Sequence, residues 1–167
     1  MKIPQALIAA LGGYAIYDFL IGSPSKDECP AATQSVALNT KNREACIQQY
    51  SYGPPNPSKP SKWYWVDYAK KWLKGRNPTP DQVEEFKDMR CWNCAAFDIS
   101  PRMQKCLPPV DESDNYDLQG LTPSTVFGYC WMHHFKCRSE RTCYTWAGGG
   151  PITSNATSQS WADKYQQ

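Results

Sequence analysis

Apolar and polar positions alternate along this chain in several distinct rhythms, and each predicts a different element. Ile3 to Gly22 is almost uncharged, with Leu7, Ile8, Leu11, Tyr14, Ile16, Phe19, Leu20 and Ile21 in a run about long enough to span a bilayer as a helix. Gln5, Asp18 and the Gly12-Gly13 pair interrupt it. Residues 1–22 are therefore expected to form an N-terminal hydrophobic helix, which serves as a membrane anchor, packs inside a protein assembly, or is an uncleaved signal. Residues 23–60 read as a tether in which Asn39-Thr40 can cap a short helix reaching about Tyr50. Four prolines between Ser51 and Pro60 then exclude helix and central strand, which predicts a stiff spacer.

Helical period returns over residues 61–90. Trp65, Tyr68, Ala69, Trp72 and Leu73 follow i, i+3, i+4, i+7, i+8, with Ser61 able to cap the start and Gly75 to end the helix. Thr79-Pro80-Asp81-Gln82 carries an N-cap, a proline at the first helical position and glutamine at the capping-box position, so a second helix is expected to about Met89. Residues 91–150 form a cysteine domain. Asp98 to Pro101 and Pro108 to Asp114 read as loops, and Thr125 to Met132 is the strongest strand signal, paired in a hairpin with Thr142 to Trp146. Residues 151–167 are a polar C-terminal tail. The expected fold class is thus a small, cysteine-rich, α plus irregular protein. It has an N-terminal hydrophobic helix, two short amphipathic helices and a loop-rich domain with a short β-hairpin around a four-cysteine centre.

Composition changes this picture in two ways. Fourteen prolines against ten glycines imply much irregular backbone, and seven tryptophans with ten tyrosines imply a core of amphipathic rings whose N–H and O–H groups need partners. Net charge is only +2, yet six positive side chains face one acid, Asp67, between Lys59 and Arg76. Trp65, Tyr68, Trp72, Lys70, Lys71 and Lys74 are therefore candidates for a partner-binding face toward an acidic protein or an anionic membrane, although such charges also simply solvate a packed helix. One short basic helix is no nucleic-acid recognition motif, so no specific nucleic acid is expected. Catalytic constellations are absent: the two histidines are adjacent, and Gly148-Gly149-Gly150-Pro151 lacks the Lys-Ser/Thr of a phosphate loop.

Candidate chemistry lies in eight cysteines. Cys91-Trp-Asn-Cys94 is a C-x2-C turn that aims two sulfurs at one point, and Cys130 and Cys143 can complete a four-thiolate set for zinc or an iron–sulfur cluster. Trp92, Phe97, Phe127, Tyr129, Trp131, Tyr144 and Trp146 crowd these four, which favours a dry site. The sulfurs would lie within roughly 7 Å of one another around a cubane and closer to 4 Å around one zinc. Cys130-Trp-Met-His133 is a C-x2-H that offers zinc another ligand set, whereas His134 reads as a surface or hydrogen-bonding histidine. Cys29, Cys46, Cys106 and Cys137 are disulfide candidates, with Cys29–Cys46 and Cys106–Cys137 as one pairing. An all-disulfide arrangement also uses all eight, and spacing does not fix connectivity.

Gly128-Tyr129-Cys130 and Cys143-x-x-Trp146, together with Cys91-x2-Cys94, resemble the ligand surroundings of high-potential iron–sulfur proteins over about residues 88–150. The same layout, ending in a glycine-rich stretch, resembles small cysteine proteins encoded by bacteriophages. The resemblance implies a 4Fe-4S cluster held by Cys91, Cys94, Cys130 and Cys143. With it, the expected function is a non-enzymatic structural subunit of a larger assembly, a phage virion component stapled by the cluster, by disulfides or by both. The alternatives are a membrane-tethered iron–sulfur electron carrier and a zinc- or disulfide-stabilised interaction module. Expected partners are other subunits, or a membrane through residues 1–22. The expected location is the virion or a membrane, extracytoplasmic if the cysteines are disulfide-bonded.

Overall fold

A computed structural model of the chain describes residues 29–107, 120–121 and 124–165. The expected hydrophobic helix over residues 1–22 lies outside them. Among the described residues no helix is long and apolar enough to cross a membrane.

Among the described residues six α-helices surround a three-stranded sheet. Helix α1 (Ala31–Gln34) leads into α2 (Val36–Tyr50), which Ser35 caps by accepting a hydrogen bond from the Leu38 N–H; Ser51, in the left-handed region, ends it. The cap falls four residues before the expected Asn39, because Asn39 is buried and its side chain accepts from the Lys136 N–H at 2.8 Å instead. Helix α3 (Tyr64–Trp72) follows the proline-rich stretch, and α4 (Pro80–Lys87) carries the full Thr79/Gln82 capping box.

The sheet is antiparallel in the order β1 (Phe97–Asp98), β2 (Phe127–Cys130), β3 (Phe135–Arg138). The partner of β2 is therefore Phe135–Arg138 and not Thr142–Trp146, since a tight turn at Trp131–His134 brings the nearer segment back first. Thr142 instead bridges Gly53, tying the cysteine region to the end of the α2 segment. Asp98–Pro101, expected as a loop, ends β1 and starts α5 (Pro101–Cys106), which Ser100 caps through the Met103 N–H. The expected polar tail forms α6 (Asn155–Tyr165). It lies on α5, where Asn155 accepts from the Arg102 N–H at 2.8 Å and Ser158 and Ala162 are buried.

Because side chains alternate along strands, the register divides the interior in two. Phe97, Gly128, Cys130, Phe135 and Cys137 share one face; Asp98, Tyr129 and Arg138 share the other. The first face meets Cys46, Tyr52, Cys91, Cys94, Ala96 and Cys143. The second cluster comprises Tyr129, Trp131, Ala32, Met103, Cys106, Ile152 and Ala162. Gly128 is required on the first face, since a Cβ there would run into the Phe97 ring and the Asp98 carbonyl.

The aromatic face of α3, expected to bind a partner, packs within the domain. Trp65 and Tyr68 are buried, Arg90 stacks over the Trp65 ring at 4.3 Å, and Trp72 lies against Phe86 and Tyr144. A chain poor in aliphatic residues needs those rings for its own core. Lys70, Lys71 and Lys74 remain exposed, and Lys71 hydrogen-bonds the Ser51 hydroxyl.

Candidate metal centre

Four segments deliver six buried thiols to the first face of the sheet. The Cys91–Cys94 segment opens with a single 3-10 turn, Cys91–Asn93, pinned from several directions. The Cys91 N–H donates to the Arg141 carbonyl at 2.7 Å and the Cys94 N–H to the Cys91 carbonyl at 2.9 Å. The Trp146 indole donates to the Arg90 carbonyl at 3.0 Å and to Asn93 Oδ1 at 2.9 Å. Gly150 crosses directly over Cys94, where a Cβ would strike the Cys94 backbone. The glycine stretch Gly148–Gly150 thus closes over the C-x2-C segment.

Strands β2 and β3 supply Cys130 and Cys137 from the same face, diagonal neighbours in the register. Cys46 and Tyr50, four residues apart on α2, present one helical face to this site. The Tyr50 ring packs on His133 with centroids 4.6 Å apart, and the Tyr50 carbonyl accepts the Tyr144 N–H at 2.6 Å, which holds Cys143 beside the helix end. The Tyr68 hydroxyl fixes the Cys143 carbonyl at 2.9 Å. His133 sits in the β2–β3 turn, which His134 closes in a left-handed conformation while its N–H donates to the Cys130 carbonyl at 2.7 Å.

All six thiols, Cys46, Cys91, Cys94, Cys130, Cys137 and Cys143, are reduced and buried in one apolar cluster. The disulfide among the described residues is Cys29–Cys106, which joins the start of α1 to the end of α5 under the opposite face. This corrects the expected pairings Cys29–Cys46 and Cys106–Cys137. Cys46, expected to stay apart, lies against Cys143, because α2 packs along β3 and places its last turns over the thiols.

Within the cluster Cys46 lies close enough to Cys143, and Cys137 close enough to Cys91 and Cys130, for the thiols to act on one another's protonation. Cys46, His133 and Cys143 form the tightest group, their ligand atoms all within 4.8 Å of one another. The Thr145 hydroxyl meets both Cys143 Sγ, at 3.2 Å, and His133 Nε2.

These contacts polarise the thiols. The hydrogen bond from Cys46 holds Cys143 well below the usual thiol range against the cost of burial, and His133 and Thr145 add to the effect. The same bond and burial push Cys46 up. Burial drives Cys137 upward and carries Cys94 to about 12, whereas the Cys137 bond lowers Cys130 despite burial. For His133, burial favours the neutral ring, but the bond to Cys143 and the charges of Cys130 and Cys143 outweigh it and raise its pKa. The shifts favour a Cys143 thiolate beside a protonated His133, whose proton a metal ion would displace on binding.

The four thiols expected to share a centre, Cys91, Cys94, Cys130 and Cys143, are all in this cluster. Four thiolates are what an iron–sulfur cluster takes, and Cys46, His133 and Cys137 stand in the same region as further donors. No family model, curated protein or solved structure matches the chain.

Cys46 and Cys137 are the thiols that sequence reasoning missed, both having been expected in disulfides. The available signal for Cys46 is faint: a cysteine four residues before a tyrosine on one helix face, with no partner nearby in the chain.

Proposed function

We propose that the protein is a non-catalytic structural subunit whose cysteine domain closes around a metal–sulfur centre. The supporting observation is the concentration of six reduced, buried thiols in one cluster while the disulfide sits elsewhere. A bound metal compensates the thiolate charge and cross-links elements that bury few aliphatic side chains. In the iron–sulfur form, Cys91, Cys94, Cys130 and Cys143 are the ligands implied by the resemblance. In the zinc form, His133 joins the thiolates. Partner subunits of an assembly, in a virion or at a membrane, would meet exposed rings such as Trp63, 62% exposed, and Trp92, 53% exposed.

Trp92 also favours a second reading, an electron carrier, because it lies between two of the thiols and opens to solvent. Elemental analysis for iron and zinc, acid-labile sulfide and a visible spectrum, measured on anaerobically purified full-length protein, test the centre. A metal-free protein that is fully folded would overturn it. Reversible one-electron bleaching of a visible chromophore would select the carrier, and a colourless or redox-inert centre selects the structural role.

A further inference from the structure

Cys46, His133 and Cys143 come from three separate segments: the last turns of α2, the β2–β3 turn and the strand-like loop after β3. Each is positioned by contacts of its own. The Tyr50 carbonyl holds Tyr144, Tyr50 packs on His133, and the Asn42 side chain donates to the His134 carbonyl at 2.7 Å. Their ligand atoms converge within 4.8 Å. Around a tetrahedral ion with Zn–S of about 2.3 Å and Zn–N of about 2.0 Å, ligand atoms stand roughly 3.5 to 3.8 Å apart. Closing from the observed spacing needs shifts of about 1 Å or less, within rotamer adjustment. Cys46 and Cys143 are buried, while His133 and Thr145 are half-buried, and a cavity of about 380 Å³ lined by Asn42, Trp131, Met132 and His133 reaches the imidazole alone of the three donors. The site therefore has two dry sulfur donors and one half-buried imidazole.

We infer that Cys46, His133 and Cys143 bind one zinc-class divalent ion, with water or the Thr145 hydroxyl in the fourth position, as a site distinct from the remaining thiols. This rests on the metal–sulfur reading above and changes its ligand set. Cys143 goes to the mononuclear ion, leaving Cys91, Cys94, Cys130 and Cys137 as a second four-thiol group. The mixed donor set also argues for the assignment: a borderline ion takes thiolate and imidazole together, whereas an iron–sulfur cluster takes four thiolates in the sites it usually occupies.

The test uses the full chain, purified anaerobically with its buried thiols reduced, together with His133→Ala, Cys46→Ser, Thr79→Ala and His133→Cys. Zinc stoichiometry is read by elemental analysis, and the site is read by cobalt(II) replacement, whose sulfur-to-metal absorption counts the thiolates. His133→Ala and Cys46→Ser should each weaken zinc at this site by at least about 100-fold, since loss of an outer-shell partner alone costs 10- to 100-fold. Thr79→Ala, on the exposed cap of α4, should leave it within about twofold. His133→Cys should retain the ion and strengthen the sulfur-to-cobalt band, an outcome that loss of folding cannot imitate. Zinc or cobalt binding unchanged in His133→Ala overturns the inference, as does a Cys46–Cys143 disulfide in peptide maps of the anaerobic protein. Iron and sulfide bound at full level in His133→Ala, without zinc, overturn this inference and leave the metal–sulfur reading standing. Absence of any metal from the purified and the reconstituted protein removes both.

Discussion

The two faces of the small sheet solve the same problem with opposite chemistry. Behind one, Trp131, Tyr129, Met103, Ile152 and Ala162 pack conventionally, and the Cys29–Cys106 disulfide closes a separation of 77 residues. Behind the other, six of the ten residues in the buried cluster are cysteines, with Tyr52, Phe97, Phe135 and Ala96 between them. A thiol buries far less apolar area than a leucine, so the second core gains little from water exclusion alone. Its elements are also short: β1 has two residues, and the Cys91–Asn93 turn has three. The difference teaches that one face is held by packing with a covalent tie, while on the other the proposed metal would supply the tie that packing does not.

The strongest way to break this comparison is to withdraw metal. Structural zinc contributes on the order of 10 kcal/mol in small domains that fold around it. Chelation of the reduced protein is expected to abolish hydrogen-exchange protection in β2, β3 and the last turns of α2. Protection in α5 and α6 should persist, because their packing and disulfide are on the other face. Uniform protection that survives chelation would show that rings and thiols suffice by themselves.

Severing the covalent tie is the complementary cut. Replacing Cys29 and Cys106 together by serine should cost about 4 to 5 kcal/mol in the chain-entropy description, read as a fall in the denaturant midpoint. Loss of protection should centre on α1, α5 and α6, with metal content unchanged. A smaller effect belongs to Asp98, fully buried, which accepts from the Trp131 indole at 2.8 Å and from the Ser100 N–H at 2.9 Å. Asp98→Ala leaves both donors unpaired in the apolar face and is expected to cost about 2 to 4 kcal/mol. A loss of metal in this variant, with the fold retained, would show that the two faces are coupled through β1.

Local signals were readable in the sequence, and distant pairings were not. The Thr79/Gln82 capping box, the α3 periodicity and the strand around Gly128 to Cys130 each depend on residues a few positions apart, and each is present. The C-x2-C segment is likewise local, and Cys91, Cys94, Cys130 and Cys143 all belong to the buried cluster on the first face. By contrast Cys29 finds Cys106, and Cys46 finds Cys143, across long stretches of chain whose path no spacing rule fixes. The aromatic stripe of α3 was visible but its partner was not, since periodicity identifies a buried face without saying what buries it. Helix α6 escaped because Ser, Thr and Gln dominate it, and only Ser158, Trp161 and Ala162 carry the packing that stabilises it.

The smallest expected effect serves as the control that sharpens the contrast. Helix α4 has no fully buried residue and meets the domain chiefly through Phe86, whose ring lies against Tyr68 and Trp72. The Thr79 hydroxyl accepts the Gln82 N–H, and Gln82 returns a bond to the Thr79 N–H, so Thr79→Ala removes one half of a reciprocal cap on an exposed first turn. The expected cost is about 1 kcal/mol, with fraying confined to that turn and no change in metal content. Helix α4 nonetheless ends only a few residues before Cys91, and Arg90 grips the Lys87 and Glu140 carbonyls between them. If Arg90 and the Cys91–Asn93 turn are as firmly held as their hydrogen bonds indicate, disorder introduced at Thr79 stops before it reaches the thiols. A destabilisation above about 2 kcal/mol, or weakened metal binding in this variant, would mean that α4 positions Cys91, and the boundary of the thiol-held core would then have to be drawn at Thr79.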